Sequence, residues 1–199
     1  TEMISKATAL RAHAILDAPN GKTPTEMIAA RGPLGTIEGF NSSSKRAIGL
    51  YPNLKAIRTS DATEVVVPYS PYFVGVVANT DATLGYWNSP SNKEIAGITG
   101  VERKISAAVN DSTTDTNKLN AVGITTVFNS FGTGIRTWGN RSLAYPASTF
   151  PDNFISVRRV ADILQQSVEA AALQFVDKPI TSALIDSIRG SVNAFINTL

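Results

Sequence analysis

The most regular hydrophobic rhythm in the chain comes at its end. Val157, Val160, Leu164, Val168, Ala171 and Phe175 recur at spacings of three or four and trace one helical face. Pro179 interrupts the pattern, Thr181 can cap a second helix, and Leu184, Ile188, Val192, Phe195 and Leu199 repeat the spacing. This predicts a long αα-hairpin packed on a sheet.

Upstream the apolar runs are shorter. Arg11 to Ala18 suits a strand closed by the turn residues Pro19-Asn20-Gly21. Thr23-Pro24-Thr25-Glu26 opens a helix: Thr23 can accept from the amide three residues on, Glu26 can reach back, and Pro24 is tolerated at the first helical position. Arg46 to Tyr51 and Glu64 to Val67 read as strands, and a helix from Ser70-Pro71 carries Phe73, Val76 and Val77 inward before ending by Asn79-Thr80-Asp81. Ile98 to Ile105 is expected to be extended and Asp111 to Asn117 to be a polar loop. The β-branched run Gly123 to Phe128 and the run Ile135 to Leu143 are joined by Gly132-Thr133-Gly134, which predicts a hairpin. Strands alternating with helices define an α/β (mixed α+β) class: a mixed β-sheet with packed helices. No internal repeat is visible, and one compact unit is expected.

Composition narrows the function classes. Eighteen basic against sixteen acidic residues leave a formal charge of +2, with no run of five like charges, which argues against a nucleic-acid partner. The absence of cysteine removes disulfides, thiolate catalysis and the common zinc sites. The longest apolar stretches, such as Phe73 to Ala78, are too short to cross a bilayer. No charged-then-apolar leader opens the chain, so no membrane partner is expected. Thr1 is no initiator methionine and Leu199 falls inside an amphipathic repeat, so the chain is expected to be a piece of a longer protein.

Candidate chemistry is sparse. His13 is the one histidine, inside an apolar strand pattern and without a second histidine or cysteine to share a metal. The carboxylates at Asp17, Glu26, Glu38, Asp61, Glu64, Asp81, Glu94 and Glu102 stand singly. Asp111 and Asp115 lack the glycine and terminal glutamate of a calcium loop. Gly132-x-Gly134 lacks the third glycine of a phosphate loop and precedes an extended run, not a helix. Lys104 and the arginines at 136, 141, 158 and 159 form a solvated or ion-paired face unless an acidic partner meets them. No catalytic residue, cofactor or metal is expected, and the chain is not read as an enzyme.

One stretch carries a resemblance. Gly123-Ile124-Thr125-Thr126-Val127-Phe128 followed by Gly134-Ile135-Arg136-Thr137-Trp138-Gly139-Asn140-Arg141-Ser142-Leu143, with Asn120 before them, is similar to a signature of contractile (myophage-type) tail sheath proteins. Phe154 to Arg159 resembles the family's short strand and Val-Arg-Arg turn. Val176-Asp177-Lys178-Pro179-Ile180-Thr181 most resembles the sheaths of temperate enterobacterial phages and prophages. Ser70 to Asp81, Gly85 to Asn92 and Ile98 to Val101 resemble a further arc of the family. The likeness covers 63–199 well and 1–62 loosely, and it is the order of the motifs that makes it specific.

The resemblance implies a structural subunit of a phage tail. Such a subunit polymerises with copies of itself as a helical stack of rings around the tail tube protein, and contracts to drive the tube through the host envelope. It implies a place in the virion tail after synthesis in the host cytoplasm. Family members carry N- and C-terminal arms that cross to neighbours by adding strands, so the present piece is expected to be monomeric alone. Interface or structural roles fall on Arg136, Trp138, Gly139, Asn140, Arg141, Arg158, Lys178, Pro179 and Arg189. Arg136 and Arg141 either pair with carboxylates in their own chain or meet an adjacent subunit, and Arg189 with Asn193 is a candidate tube contact. The alternatives are a sheath subunit of a type VI secretion system or an R-type bacteriocin, or an α/β enzyme with a small polar site in its loops.

Overall fold

A computed structural model of the chain describes residues 2–129, 132 and 134–197. Two compact units make up the chain, residues 1–158 and 159–199, where the sequence suggested one.

The first unit opens with helix α1 (Glu2–Ala9), which sequence periodicity did not predict because Ile4 and Ala7 alone anchor it. Strand β1 (Ala14–Asp17) and helix α2 (Pro24–Ala29) follow as expected. The capping box forms in full: Glu26 N–H donates to Thr23 Oγ1 at 3.3 Å, and Thr23 N–H donates to Glu26 Oε2 at 2.8 Å. Strand β2 (Ala47–Leu50) is buried at all four positions. Strands β3 (Leu54–Ile57) and β4 (Glu64–Val67) come next, β3 having been hidden from the sequence by Pro52 and the polar Asn53 and Lys55 around it.

Helix α3 (Ser70–Leu84) outlasts its expected end at 79–81. The hydroxyls of Thr80 and Thr83 donate back to Val76 O and Asn79 O, so polar residues stay inside the helix, and Gly85 at φ 96° ends it. Strand β5 is only Gly100–Val101, shorter than the extended run predicted over 98–105. The expected polar loop over 111–117 is half right. Asp111 does build a turn with Thr113, but helix α4 (Asp115–Ala121) begins within it, anchored by buried Thr116 and Leu119. Strands β6 (Ile124–Asn129) and β7 (Ile135–Trp138) form the expected antiparallel hairpin, with Thr126 opposite Trp138 and Phe128 opposite Arg136. Of its predicted turn, Thr133 lies outside the described residues.

The larger sheet has the order β1-β2-β6-β7, parallel through β6 and antiparallel at β7. Its central strands are buried on both faces because both are covered. One face packs Ala47 and Ile124 with Ile4, Met27, Phe40, Leu119 and Leu143, and the other packs Ile48 and Val127 with Leu54, Tyr69, Phe73 and Val76. The smaller sheet, β4-β3-β5, is antiparallel. Asp17, at the end of β1, accepts from Ser70 N–H at 2.7 Å and from its hydroxyl at 2.5 Å, so a strand end seats the start of α3.

Helix α5 (Ile155–Ala172) carries the chain into the second unit, and a 3-10 turn (Leu173–Phe175) and an exposed link lead to helix α6 (Ser182–Asn197). Leu184 N–H donates to Thr181 Oγ1 at 3.2 Å, the cap expected there. The stripe Leu184, Ile188, Val192 and Phe195 is half-buried, and Leu199 lies outside the described residues.

Candidate functional site

The segment from Arg136 to Arg141 leaves the sheet at the end of β7, and its side chains are fixed one by one. Thr137 is fully buried: its hydroxyl donates to Pro90 O at 2.5 Å and accepts from Lys93 N–H at 3.2 Å. Backbone bonds Asn92 N to Thr137 O, Thr137 N to Lys93 O and Ile95 N to Ile135 O lay residues 92–95 along the outer edge of β7. The edge is therefore closed by the chain itself. Arg136 reaches over this segment and donates to Asn92 O at 3.2 Å.

Trp138 stacks on Phe128 with centroids 4.7 Å apart and planes at 25°. Its indole N–H donates to the amide oxygen of Asn120 at 3.2 Å, and the Asn120 amide donates in turn to Ile124 O at 2.9 Å and Trp138 O at 3.2 Å. One asparagine at the end of α4 thus ties helix, strand β6 and strand β7. Gly139 sits at φ 132°, and a Cβ there would lie 2.8 Å from the Asn120 amide and 3.0 Å from Thr125 Cα. Only glycine fits this approach. Its N–H donates to Ser91 Oγ at 3.0 Å.

Asn140 then reaches the start of α5: it donates to Ser156 Oγ at 2.9 Å and accepts from Ser156 N–H at 3.3 Å, capping the helix. Arg141 lays its guanidinium 3.7 Å from the Tyr145 ring centroid and 5.3 Å from that of Phe154. Asn140, Arg141 and Phe154 border a cleft of about 320 Å³ that also takes in Asn117, Asn120 and Ile124.

Neither Arg136 nor Arg141 pairs with a carboxylate among the described residues, so the intramolecular pairing the sequence allowed for them is absent there. The structure thus brings Arg136, Trp138, Gly139, Asn140 and Arg141 into one region. Arg158 is half-buried in the first turn of α5, its N–H donating to Phe154 O. Lys178, Pro179 and Arg189 belong to the second unit. Lys178 Nζ lies 5.4 Å from the Phe175 ring, Pro179 is exposed, and Arg189 stands 3.8 Å from Asp186 with both side chains in solvent.

The residue that sequence reasoning missed is Arg31. Its guanidinium donates to the carbonyls of Val122, Phe40, Ser42, Leu143 and Tyr145, gathering the end of α2, two loops and the segment after Asn140. Burial pushes it down to about 10, still charged at neutral pH, and carbonyl dipoles replace its water. Isolated in sequence between Ala30 and Gly32, it carries no periodic or spacing signal.

The other strongly shifted groups are structural too. Burial raises the Tyr51 phenol to about 12 and raises Tyr69 further, while their hydroxyls donate to Lys22 O and Thr126 O. None of them lines the cleft beside Arg141. Among the described residues no three His, Cys, Asp or Glu side chains converge to hold a metal, and no helix is long and apolar enough to cross a membrane.

Two sheets with packed helices carry a tightly locked Arg-x-Trp-Gly-Asn-Arg turn. Residues 1–143 match the phage tail sheath protein central domain, and the chain belongs to that family. It is 46% identical to the tail sheath protein of Burkholderia phage BcepMu over 98% of the chain and 40% of that protein. To a putative prophage major tail sheath protein of Pseudomonas aeruginosa (strain UCBPP-PA14) it is 33% identical over 100% of the chain and 48% of the relative. To the tail sheath protein of Escherichia phage P2 the figures are 29%, 93% and 43%. The chain therefore spans less than half the length of these curated relatives. Its fold is shared with the helical sheath of the anti-feeding prophage in the contracted state (TM-score 0.71, 22% identity, 98% of this chain and 49% of that one). It is also shared with the contracted sheath complex of an extracellular contractile injection system, PVC (TM-score 0.71, 21% identity, 94% and 48%).

Proposed function

We propose that this chain is the core of a contractile tail sheath subunit, which polymerises around a tail tube and shortens to drive the tube through a host envelope. The observation that carries the reading is the 46% identity to a phage tail sheath protein across 98% of the chain. The physics agrees with it. Contraction needs a rigid body whose interfaces have two packings, and no bond is made or broken. The hydrogen-bonded turn at residues 137–140 supplies rigidity, and the flanking arginines, without carboxylate partners among the described residues, supply surface for other subunits. The sequence relatives come from phages and a prophage, which favours a virion tail over a secretion system, with synthesis in the host cytoplasm.

Partners in this reading are further copies of the same subunit and the tube protein. Arg189, exposed on α6 about a quarter turn round from the half-buried stripe, is proposed to face the tube. The test is to express the complete gene and image the product by negative stain. Tubes of stacked rings are expected; dispersed small particles under all assembly conditions would count against the reading. In a co-assembly with the tube protein, Arg189→Glu is expected to weaken attachment, and unchanged attachment would remove the residue from the tube contact.

A further inference from the structure

Arg141 presents an unusual combination of shielding and availability. Its guanidinium carbon lies 3.7 Å from the Tyr145 centroid and 5.3 Å from that of Phe154, so aromatic surface shields part of its plane. Its guanidinium nonetheless pairs with no carboxylate among the described residues. The neighbours are committed elsewhere: Asn120 to Trp138, Asn140 by both ends of its amide to Ser156, and the Asn117 amide N–H groups to Ala108 O and Asp111 O. Among the described residues Arg141 is the one formally charged side chain lining the cleft of about 320 Å³.

A planar, stacked guanidinium whose fork holds no carboxylate is pre-organised for a bidentate anion, because little rotamer entropy remains to be lost. Desolvation by the rings strengthens the attraction to a carboxylate entering the cleft. A nucleic acid is disfavoured, since the chain carries +2 overall and the described lining of this cleft holds a single cation. We propose that the Arg141 cleft is a receptor for an aspartate or glutamate side chain of a second copy of this subunit, an intersubunit contact of the assembled sheath. The chain offers suitable carboxylates: Asp177, for one, is exposed and has no partner among the described residues. The inference rests on the sheath reading.

The test uses the protein expressed from its complete gene, as wild type and as Arg141→Gln and Arg141→Lys. Assembly is followed by sedimentation across a salt series, and side-chain access by phenylglyoxal modification read by mass spectrometry. Arg141 is expected to react in dissociated wild-type subunits and to be protected in tubes. Arg141→Gln, with an unchanged thermal midpoint, is expected to yield about tenfold fewer tubes or less at equal concentration, with Arg141→Lys intermediate because it keeps the charge and loses the fork. Wild-type tubes with Arg141 equally reactive in both states overturn the cleft proposal and leave the sheath reading standing, as do tubes of Arg141→Gln with wild-type salt tolerance. Wild type that forms no tubes removes both. Should Arg141→Gln misfold, the protection measurement on wild type and the lysine variant decides.

Discussion

Gly139 and Arg31 hold the same region by opposite means, one by having no side chain and the other by reaching five carbonyls with one. Gly139→Ala adds a Cβ at φ 132° into the Asn120 amide and the β6 backbone, and is expected to cost about 2–4 kcal/mol in chemical denaturation. Gly190→Ala, inside α6 with open space around it, is the control and should gain roughly 0.5–1 kcal/mol. Arg31→Met leaves several buried carbonyls without donors and is expected to destabilise the first unit by roughly 3–5 kcal/mol, by the same measurement. A loss below about 1 kcal/mol would mean that water replaces the guanidinium there. Sequence legibility differs between the two for a physical reason. Gly139 stands inside the motif that carries the family resemblance, whereas an arginine that bonds only to distant carbonyls leaves no local trace.

Among the elements, those with a local cause were readable. The capping box of α2 is spelled out in Thr23-Pro24-Thr25-Glu26, and it has a pH signature. Backbone and side-chain hydrogen bonds from Thr23, with Lys22 adjacent, hold Glu26 down from 4.5 to about 2. A carboxylate depressed by folding stabilises fully above its ordinary value and loses that contribution as pH falls through the folded one. The thermal-midpoint difference between wild type and Glu26→Gln should therefore be constant well above pH 4.5, shrink steadily below it, and vanish only once the pH is below about 2. A difference that persists unchanged to pH 2 would assign it to something other than the carboxylate charge. At the other end, Thr181→Ala removes the α6 cap and is expected to cost about 1 kcal/mol and to lower far-UV helicity. Helices α1 and α4 were not readable, because Ile4 with Ala7 and Thr116 with Leu119 give too few anchors for a period to emerge. Their burial comes from residues far along the chain. Strand β3 was hidden in the same way, its partners being β4 and β5.

At the scale of the whole molecule, periodicity and composition reached an α/β class and no further. The sheath assignment came from the order of motifs around Asn120, residues 134–143 and residues 176–181, which the family match over 1–143 and the relatives across the whole chain support. Arg136 to Arg141 were legible as part of the extended run Ile135 to Leu143, of which β7 keeps only Ile135–Trp138, but the cleft beside Arg141 was not. It depends on Phe154 and Asn117, which only the fold brings there. The division at residue 158 was equally invisible, since the amphipathic period of α5 runs through it without a break. In the proposed function this fold is the repeating body of a contractile sheath. Cryo-electron microscopy of the particle assembled from the complete gene with its tube protein tests it most directly. A helical lattice is expected in which each subunit contains this two-sheet body, in an extended and a shorter, wider form. Particles with no lattice, or a lattice whose subunits lack this body, would contradict it.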